Sequence, residues 1–231
     1  MSKLAIIPAR GGSKRIPRKN VKSFLGKPII SYSIETAIES NLFDDIVVST
    51  DDSEIASISK DYGATVPFFR SSKNANDYAT LADVIQEVLL NLKDLEKEYD
   101  EVCCILPTAP FISSRLLERS YKKLNPFTSV FPVLEFSFPI QRSLQINDKS
   151  VTMVSPEYMN TRSQDLPKRY HDAGQFYWLK VKTFLEEKLL YTKKSTSVII
   201  SELEAQDIDT ITDWKLAELK YHLLNEISRK I

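Results

Sequence analysis

The sequence is poor in the residues that build disulfides, zinc sites and flexible segments. It has 231 residues with 2 Cys, 2 His and 5 Gly. Cys103 and Cys104 are adjacent in an apolar run, where neighbours on a strand point to opposite faces, so we expect two buried reduced thiols. His171 and His222 stand far apart, which argues against a zinc site. Any metal should therefore be held by oxygen ligands.

Net charge and long apolar runs are also missing. Thirty-one Lys and Arg balance 31 Asp and Glu, so a general nucleic-acid partner is not favoured. No apolar stretch approaches the roughly 20 residues that span a bilayer, so no membrane partner is expected. The short apolar run 4–7 precedes basic residues, which is the reverse of a signal peptide. We expect a cytoplasmic protein.

What the sequence does contain is a regular alternation of short apolar runs with segments of helical period. This alternation predicts an α/β fold, a mostly parallel sheet flanked by helices, in one domain over 1–231. The expected strands are Lys3–Pro8, 45–50, 101–106 and 197–200. Five helices are expected. The first carries a buried stripe of Ile30, Ile34, Ala37 and Ile38, the second runs from the caps at 51–53 to Gly63, and the third lies within 78–98. The fourth follows Ser113, and the fifth begins at a Thr212 cap.

Between 128 and 178 the pattern changes. Aromatic and β-branched residues are interrupted by four prolines, and helical periodicity is weak. This composition predicts a small strand-rich insertion at about 130–175. Such an arm covers a site or pairs with a second subunit, and the composition leaves both open.

A basic glycine loop follows the first strand directly. Gly11 and Gly12 stand among five cations, which are Arg10, Lys14, Arg15, Arg18 and Lys19. Glycines let a backbone approach phosphate, and Arg and Lys neutralise its charge. The carboxyl ends of parallel strands are where α/β sheets bind ligands. The loop fits neither the P-loop nor the GxGxxG pattern. It predicts a nucleotide triphosphate site, with a solvated basic turn as the alternative.

Two acidic pairs have different predicted roles. Asp207 and Asp209 are separated by one residue, so on an extended backbone both project from one face, a good arrangement for Mg²⁺. The alternative is an acidic turn that caps the next helix. For Asp51 and Asp52, which precede a helical stripe, we favour N-capping over a ligand contact.

These segments carry a resemblance to a known family. IIPARGGSKRIPRKN at 6–20 resembles the signature of the cytidylyltransferases that activate nonulosonic acids, the CMP-sialic acid synthetase family. The likeness continues through STDDSEIA at 49–56, LPTAP at 106–110, RSQDLPKRYHDAGQFYW at 162–178 and DIDT at 207–210. Within the family, YHDAGQFYW resembles the branch that acts on pseudaminic acid.

The resemblance implies a Rossmann-like nucleotidyltransferase domain, a homodimer, Mg²⁺, and transfer of CMP from CTP to the anomeric hydroxyl of a sugar acid. It places the nucleotide at Arg10, Gly11, Gly12, Ser13, Lys14, Lys19, Asn20, Arg70 and Thr80. Of these, Arg10 and Lys19 are expected nearest the reacting phosphate as catalytic residues. The metal ligands are expected to be Asp207 and Asp209.

A sugar acid needs an arginine, amide or hydroxyl donors and aromatic faces. The candidates are Arg162, Gln164, His171, Gln175 and Tyr177, although such residues also suit a dimer interface. Leu106 and Ala173 depart from the pattern of the N-acetylneuraminate enzymes and argue against that substrate. Two alternatives stay open: another nonulosonic acid such as N-acetylneuraminate or legionaminate, and a CTP-binding module without catalysis.

Overall fold

The structure is a computed structural model that describes residues 1–228, so positions 229–231 of the predicted domain lie outside the described residues. The strands are β1 Lys3–Pro8, β2 Ser23–Phe24, β3 Lys27–Pro28, β4 Asp45–Ser49, β5 Glu101–Ile105, β6 Ser129–Glu135, β7 Leu144–Asn147, β8 Ser150–Met153, β9 Tyr170–Asp172, β10 Phe176–Lys180 and β11 Ser195–Ile199. The helices are α1 Ile29–Glu39, α2 Ser53–Asp61, α3 Leu81–Asp94, α4 Ser114–Tyr121, α5 Val181–Glu187 and α6 Ile211–Ser228.

Seven strands form one sheet in the order β11-β6-β10-β5-β1-β4, with β9 paired to β6 off this path. β1 is parallel to β4 and β5, and β11 is parallel to β6. β10 is antiparallel to both of its neighbours, and β9 is antiparallel to β6. Five strands therefore run in one direction, which confirms the mostly parallel sheet.

The path of the chain creates a ligand crevice beside β1. From β1 the chain passes through α1 to β4 on one side, and then crosses to β5 on the other side. In open α/β sheets, ligands bind where the strand order reverses in this way, outside the carboxyl ends of the strands. The loops that follow β1 and β5 lie at that point.

Apolar side chains cover both faces of the sheet. Cys103 packs in the cluster with helices α1, α2 and α4, and Cys104 in the cluster with α3 and α5. Both thiols are fully buried and free, as predicted. A third cluster joins Ile16 of the basic loop, Ile208 of the acidic pair and Trp214 of α6. This cluster packs the basic loop and the acidic pair against α6.

The helix caps agree with the sequence at α2 and differ at α6. Asp52 caps α2 by accepting from Ile55 N at 3.0 Å, and Gly63 has the positive φ of 94° expected just past a helix end. The cap predicted at Thr212 is wrong, because α6 begins at Ile211 and the hydroxyl of Thr210 accepts from the third residue of its first turn at 3.2 Å.

α3 and α1 also differ from the prediction, α3 in its length and α1 in which of its residues are buried. α3 covers only Leu81–Asp94 of the predicted 78–98, because the Thr80 capping box sets its start. Leu95, which falls within the predicted segment but just past the end of α3, is 54% exposed. Ile38, expected in the α1 stripe, is 41% exposed because it turns away from the sheet.

The strand-rich segment is narrower than predicted. β6, β9 and β10 lie within 129–180 and belong to the main sheet. The part outside the sheet is 136–169, which carries the separate β7-β8 hairpin. Strand pairing across long sequence separations decides this boundary. In the described residues 1–228, no helix is long and apolar enough to cross a membrane.

Candidate active site

The basic loop forms one wall of a crevice at the carboxyl ends of β1 and β5. The lining residues are Pro8, Arg10, Ser13, Lys14, Arg15, Ile16, Lys19, Asn20, Leu106, Pro107 and Thr108. The fold thus brings together five of the predicted nucleotide residues. Asn20, 5% exposed, ties the loop together by donating to the carbonyl of Arg10 at 2.9 Å.

The two loop glycines meet different surroundings. A Cβ on Gly11 would lie 2.8 Å from Asp52 Oδ2, so the loop approaches the start of α2 too closely for a side chain. The N–H of Gly11 donates to Asp51 Oδ1 at 2.9 Å. A Cβ on Gly12 would meet nothing within 4 Å. Gly11 therefore fixes the loop against α2, whereas Gly12 faces open space.

The loop cations are neutralised by acids of the same chain. Arg10 Nη1 lies 2.7 Å from Asp77 Oδ1, and Lys14 donates to the other oxygen of that carboxylate. Hydrogen bonds from Lys14 and Arg10 lower the pKa of Asp77. Arg15 Nη1 lies 2.6 Å from Asp209 Oδ2. The cations expected to bind a triphosphate, Arg10, Lys14 and Arg15, thus form ion pairs with carboxylates of the chain itself.

Lys19 is the most enclosed of the cations that line the crevice, with a side chain 21% exposed. It donates to the carbonyl of Ile208 at 2.6 Å and lies 3.7 Å from Asp209 Oδ1. Burial lowers the pKa of Lys19, and the charges of Asp209 and Asp207 oppose that shift. Because a partly desolvated ammonium is screened less by water, it interacts strongly with any anion placed beside it.

Arg18 turns away from the crevice. With φ of 56°, it reaches back to Asp52 at 2.5 and 3.0 Å and also donates to Glu54. The hydrogen bond from Arg18 lowers the pKa of Asp52 to about 2. Arg18 therefore links the loop to the first turn of α2.

Arg70 and Thr80 do not line the crevice. Arg70 is 7% exposed, and its guanidinium donates to Ser49 Oγ at 3.0 Å and to the Ser49 carbonyl. Burial lowers its pKa, although the charge of Asp51 raises it. The Thr80 hydroxyl is engaged in the capping box of α3. Arg70 supports the end of β4 from behind, and Thr80 fixes the start of a helix.

The acidic pair lies beside the basic loop, where Arg15 and Lys19 contact Asp209. Ile208 is 1% exposed and points into the core, while Asp207 is exposed and Asp209 is half-buried. Although Asp207 is exposed, partial desolvation by its neighbours and then the charge of Asp209 raise its pKa. The two carboxylates thus repel one another, and a bound cation would relieve that repulsion. Within residues 1–228 no third His, Cys, Asp or Glu completes a metal cluster with them.

A second cavity reaches Asp207 from the other side. It is lined by residues of β6, β9, α6 and the segment before the acidic pair, among them Phe136, His171 and Lys220. His171 Nδ1 lies 2.9 Å from the carbonyl of Asp172, and its ring packs on Phe136 at 4.8 Å. An adjoining cavity shares Phe136 and includes Gln164. The predicted sugar residues His171 and Gln164 therefore line neighbouring cavities beside the acidic pair.

The other predicted sugar residues do not reach these cavities. Gln175 is 2% exposed and donates to the carbonyl of Glu204 at 2.5 Å. Tyr177 is 5% exposed. Arg162 lies on the exposed arm, 2.8 Å from Asp165. In this arrangement Gln175 and Tyr177 lie beneath the cavity, and Arg162 lies outside it.

Two residues of the site were not predicted from the sequence, Asp77 and Asp172. Asp77 contacts the basic loop, but it lies in a loop without a recognisable pattern. Asp172 accepts from the hydroxyls of Tyr177 and Tyr191 and from Gly174 N. Burial, and then the hydrogen bond to Asp172, raise the pKa of both tyrosines. Asp172 lies inside the quoted YHDAGQFYW motif, which was the available signal.

Comparison with known proteins identifies the family. Residues 4–222 match the family model described as cytidylyltransferase. The chain is 43% identical over 98% of its length to the pseudaminic acid cytidylyltransferase of Campylobacter jejuni, of which it covers 99%. It is 32% identical over 96% of its length to the CMP-N,N'-diacetyllegionaminic acid synthase of Legionella pneumophila, of which it covers 97%.

A solved structure shows the same fold. It is titled CMP:2-keto-3-deoxy-manno-octonic acid synthetase complexed with CTP, and it matches with a TM-score of 0.68 at 17% identity, over 98% of this chain and 100% of that one. The match of the family model over nearly the whole chain, with these relatives, shows that the chain belongs to the cytidylyltransferase family.

Proposed function

We propose that this cytidylyltransferase transfers CMP from CTP to the anomeric hydroxyl of pseudaminic acid and releases pyrophosphate, supplying an activated sugar for surface glycans or flagellin. The observation that carries the proposal is the cationic crevice at the end of β1, whose residues Arg15 and Lys19 contact Asp209 of the acidic pair. The choice of sugar rests on the relative that is 43% identical and is named for pseudaminic acid.

The triphosphate is proposed to lie along the basic loop. Ser13, Lys14, Lys19 and Asn20 line the crevice with Arg10, and Gly12 faces open space that leaves room for close approach, whereas Gly11 fixes the loop against α2. Arg70 and Thr80 stay in the proposal as residues that shape the nucleotide site from behind. Fixed cations suit this chemistry because nucleotidyl transfer needs positioning and charge stabilisation more than covalent catalysis.

Arg10 and Lys19 are proposed as the catalytic residues. The sugar hydroxyl attacks the α-phosphorus and releases its proton to water, the bond from that phosphorus to the oxygen bridging to the β-phosphate breaks, and charge builds on the leaving pyrophosphate. A guanidinium and a partly desolvated ammonium on one loop would stabilise that charge. Removing one such preorganised group typically costs about 10²–10³ in kcat.

The donor set at Asp207 and Asp209 fits Mg²⁺. The pair offers carboxylate oxygens, which are the ligands this ion prefers. Desolvation and then the charge of Asp209 raise the pKa of Asp207, and a bound cation would offset both. Mg²⁺, when bound, neutralises phosphate charge. Within residues 1–228 no third acidic or imidazole ligand joins the pair, so the remaining coordination is left to water and substrate phosphate.

The sugar acid is proposed to occupy the cavity that Asp207 shares with His171, together with its neighbour at Gln164. His171 and Gln164 would contact the sugar. Tyr177 would hold Asp172 in place from beneath, and Gln175 would fix the segment before the acidic pair through Glu204. Arg162 stands on the arm beyond the cavity and would need the arm to fold inward to reach the sugar.

The chain is further proposed to form a homodimer through the arm. Apolar side chains along 138–159 are exposed, among them Phe138 at 83%, Leu144 at 62%, Ile146 at 73%, Val151 at 59% and Met159 at 56%. A patch of this kind commonly marks a protein interface.

A cytoplasmic location is also proposed, in keeping with two free cysteines.

One experiment separates the enzyme from a binding module. Purified protein is incubated with CTP, Mg²⁺ and pseudaminic acid, and both pyrophosphate and the CMP-sugar are measured, the latter by mass spectrometry. The proposal predicts equimolar formation of the two products. A protein that binds CTP but forms neither product with any of pseudaminic, legionaminic or N-acetylneuraminic acid would be a binding module. The legionaminate relative makes that acid the second candidate substrate.

A further inference from the structure

Asp77 lies where the phosphates of CTP are proposed to bind. Its carboxylate accepts from Arg10 Nη1 at 2.7 Å and from Lys14 Nζ. Both cations line the crevice, whereas Asp77 comes from the separate loop 71–80 ahead of α3. A carboxylate from elsewhere in the chain therefore takes up two of the site's phosphate-binding groups.

Loop 71–80 is anchored at its ends, and at its tip Asn76 Oδ1 accepts from the N–H groups of Tyr78 and Ala79 at 2.7 and 3.0 Å. At one end the N–H of Ser71 donates to Glu87 at 2.7 Å, and at the other end Thr80 caps α3. At the tip Tyr78 has a side chain 92% exposed, so it adds almost no packing. The ion pairs from the tip to the basic loop are therefore its main described link to the crevice.

A carboxylate and a triphosphate compete unequally for the same donors. Asp77 brings one negative charge, and its ion pairs are partly exposed, with side chains 34%, 78% and 39% exposed for Arg10, Lys14 and Asp77. Exposed ion pairs are weak, because water screens them. A triphosphate brings several charges and many acceptor oxygens to the same cations. Exchange of the carboxylate for the nucleotide is therefore favourable.

We propose that Asp77 is a positioning residue that holds Arg10 and Lys14 before CTP binds and is displaced by the triphosphate of CTP, which releases the tip of loop 71–80. The inference rests on the proposed function, because it takes CTP as the ligand. It reverses the usual expectation that a loop beside a nucleotide site becomes ordered when the nucleotide binds.

The test is a set of binding measurements that need no turnover. Asp77→Asn removes the competing charge with little change in size. Titration calorimetry should show CTP and pyrophosphate binding about three- to tenfold more tightly than to the unaltered protein, as expected for the loss of two exposed ion pairs. Cytidine, which has no phosphate, should bind equally to both. Asp61→Asn, which removes an exposed carboxylate at the end of α2, is the matched control and should change none of these affinities.

Hydrogen exchange of the unaltered protein supplies the second readout. Amides at 75–79 should exchange faster when CTP is added, because the tip is released. Equal or weaker CTP binding by Asp77→Asn, or slower exchange at the tip, would overturn this inference alone if the unaltered protein binds CTP. Unaltered protein that binds no CTP would overturn the proposed function as well.

Discussion

At the scale of single residues, the cations of the basic loop differ in what they contact. Arg10 and Lys14 share Asp77, Arg15 holds Asp209, and Arg18 turns back to α2. Lys19 alone is largely enclosed and donates to the backbone beside the acidic pair. A count of charges in the sequence treats these residues alike, whereas their contacts give each a separate role.

Lys19→Ala should lower kcat about 10²–10³-fold and change the KM for CTP much less, because its partly desolvated ammonium is proposed to stabilise charge that develops during the reaction. Steady-state kinetics with varied CTP measures both constants. Lys22→Ala is the matched control, since Lys22 is exposed and lies over the ring of Trp214. An effect of Lys19→Ala confined to KM would contradict a catalytic role.

Asp209→Asn should reduce turnover at least about 100-fold and weaken the dependence of the rate on Mg²⁺, because one of the two proposed metal ligands loses its charge. The melting temperature should stay close to that of the unaltered protein, since Asp209 is half-buried at the edge of the site. Asp165→Asn, on the exposed arm, is the control. Unaltered Mg²⁺ dependence in Asp209→Asn would remove the basis for the metal assignment.

At the scale of elements, α2 links the stability of the fold to the shape of the basic loop. Asp52 caps the helix and also holds Arg18, while Gly11 packs against it. The pKa of Asp52 is lowered to about 2, below the ordinary value of 3.8. A lowered folded-state pKa means that this carboxylate stabilises the fold above about pH 4, and that the contribution is lost as the pH falls toward 2.

Asp52→Asn should keep the cap, because Asn caps helices as well as Asp does, and remove the charge pair with Arg18. We expect a loss of about 0.5–1 kcal/mol in the free energy of unfolding at pH 7, which shrinks to nothing near pH 2. Urea unfolding at pH 7, 4 and 2.5 measures the difference, with Asp61→Asn on the same helix as control. A difference that does not vary with pH would contradict the assigned pKa shift.

Elements whose signals are local were predictable, and those set by distant pairing were not. β1 and β5 are continuous apolar runs, and the Asp52 cap is a local signal, so the sequence alone predicts these three features. The predicted arm of about 130–175 is too long because it includes β6 and β9, which pair in the main sheet with partners far along the chain. The cap of α6 was misplaced by two residues because Thr210 and Thr212 flank its first residue.

The same distinction applies to the site. The basic loop and the acidic pair are short motifs, and the fold brings them into contact through Lys19 and Asp209. Asp77 meets that loop across 67 residues of sequence, so no local pattern could reveal it. Gln175 and Tyr177 are candidates for sugar contacts by their polar groups, but both are buried. Gln175 immediately precedes β10 and Tyr177 belongs to it, and β10 lies inside the sheet.

At the scale of the whole molecule, the arm 136–169 extends from the sheet and carries exposed apolar side chains. Ile146→Glu should convert the proposed dimer to a monomer, because it places a charge at the centre of the apolar hairpin surface. Light scattering after gel filtration measures the mass. Leu219→Glu, at a 67% exposed position on α6, is the control and should leave the mass unchanged. A monomeric unaltered protein would contradict the proposed interface.

Activation of pseudaminic acid is the proposed function of this cytidylyltransferase. It is tested most directly by the rate of pyrophosphate release with CTP and Mg²⁺, compared between pseudaminic acid and N-acetylneuraminic acid at equal concentration. We expect a kcat/KM at least about 100-fold higher for pseudaminic acid, because the cavity beside Asp207 is proposed to discriminate by polar contacts to the sugar. A preference for N-acetylneuraminic acid, or no release with either acid, would contradict it.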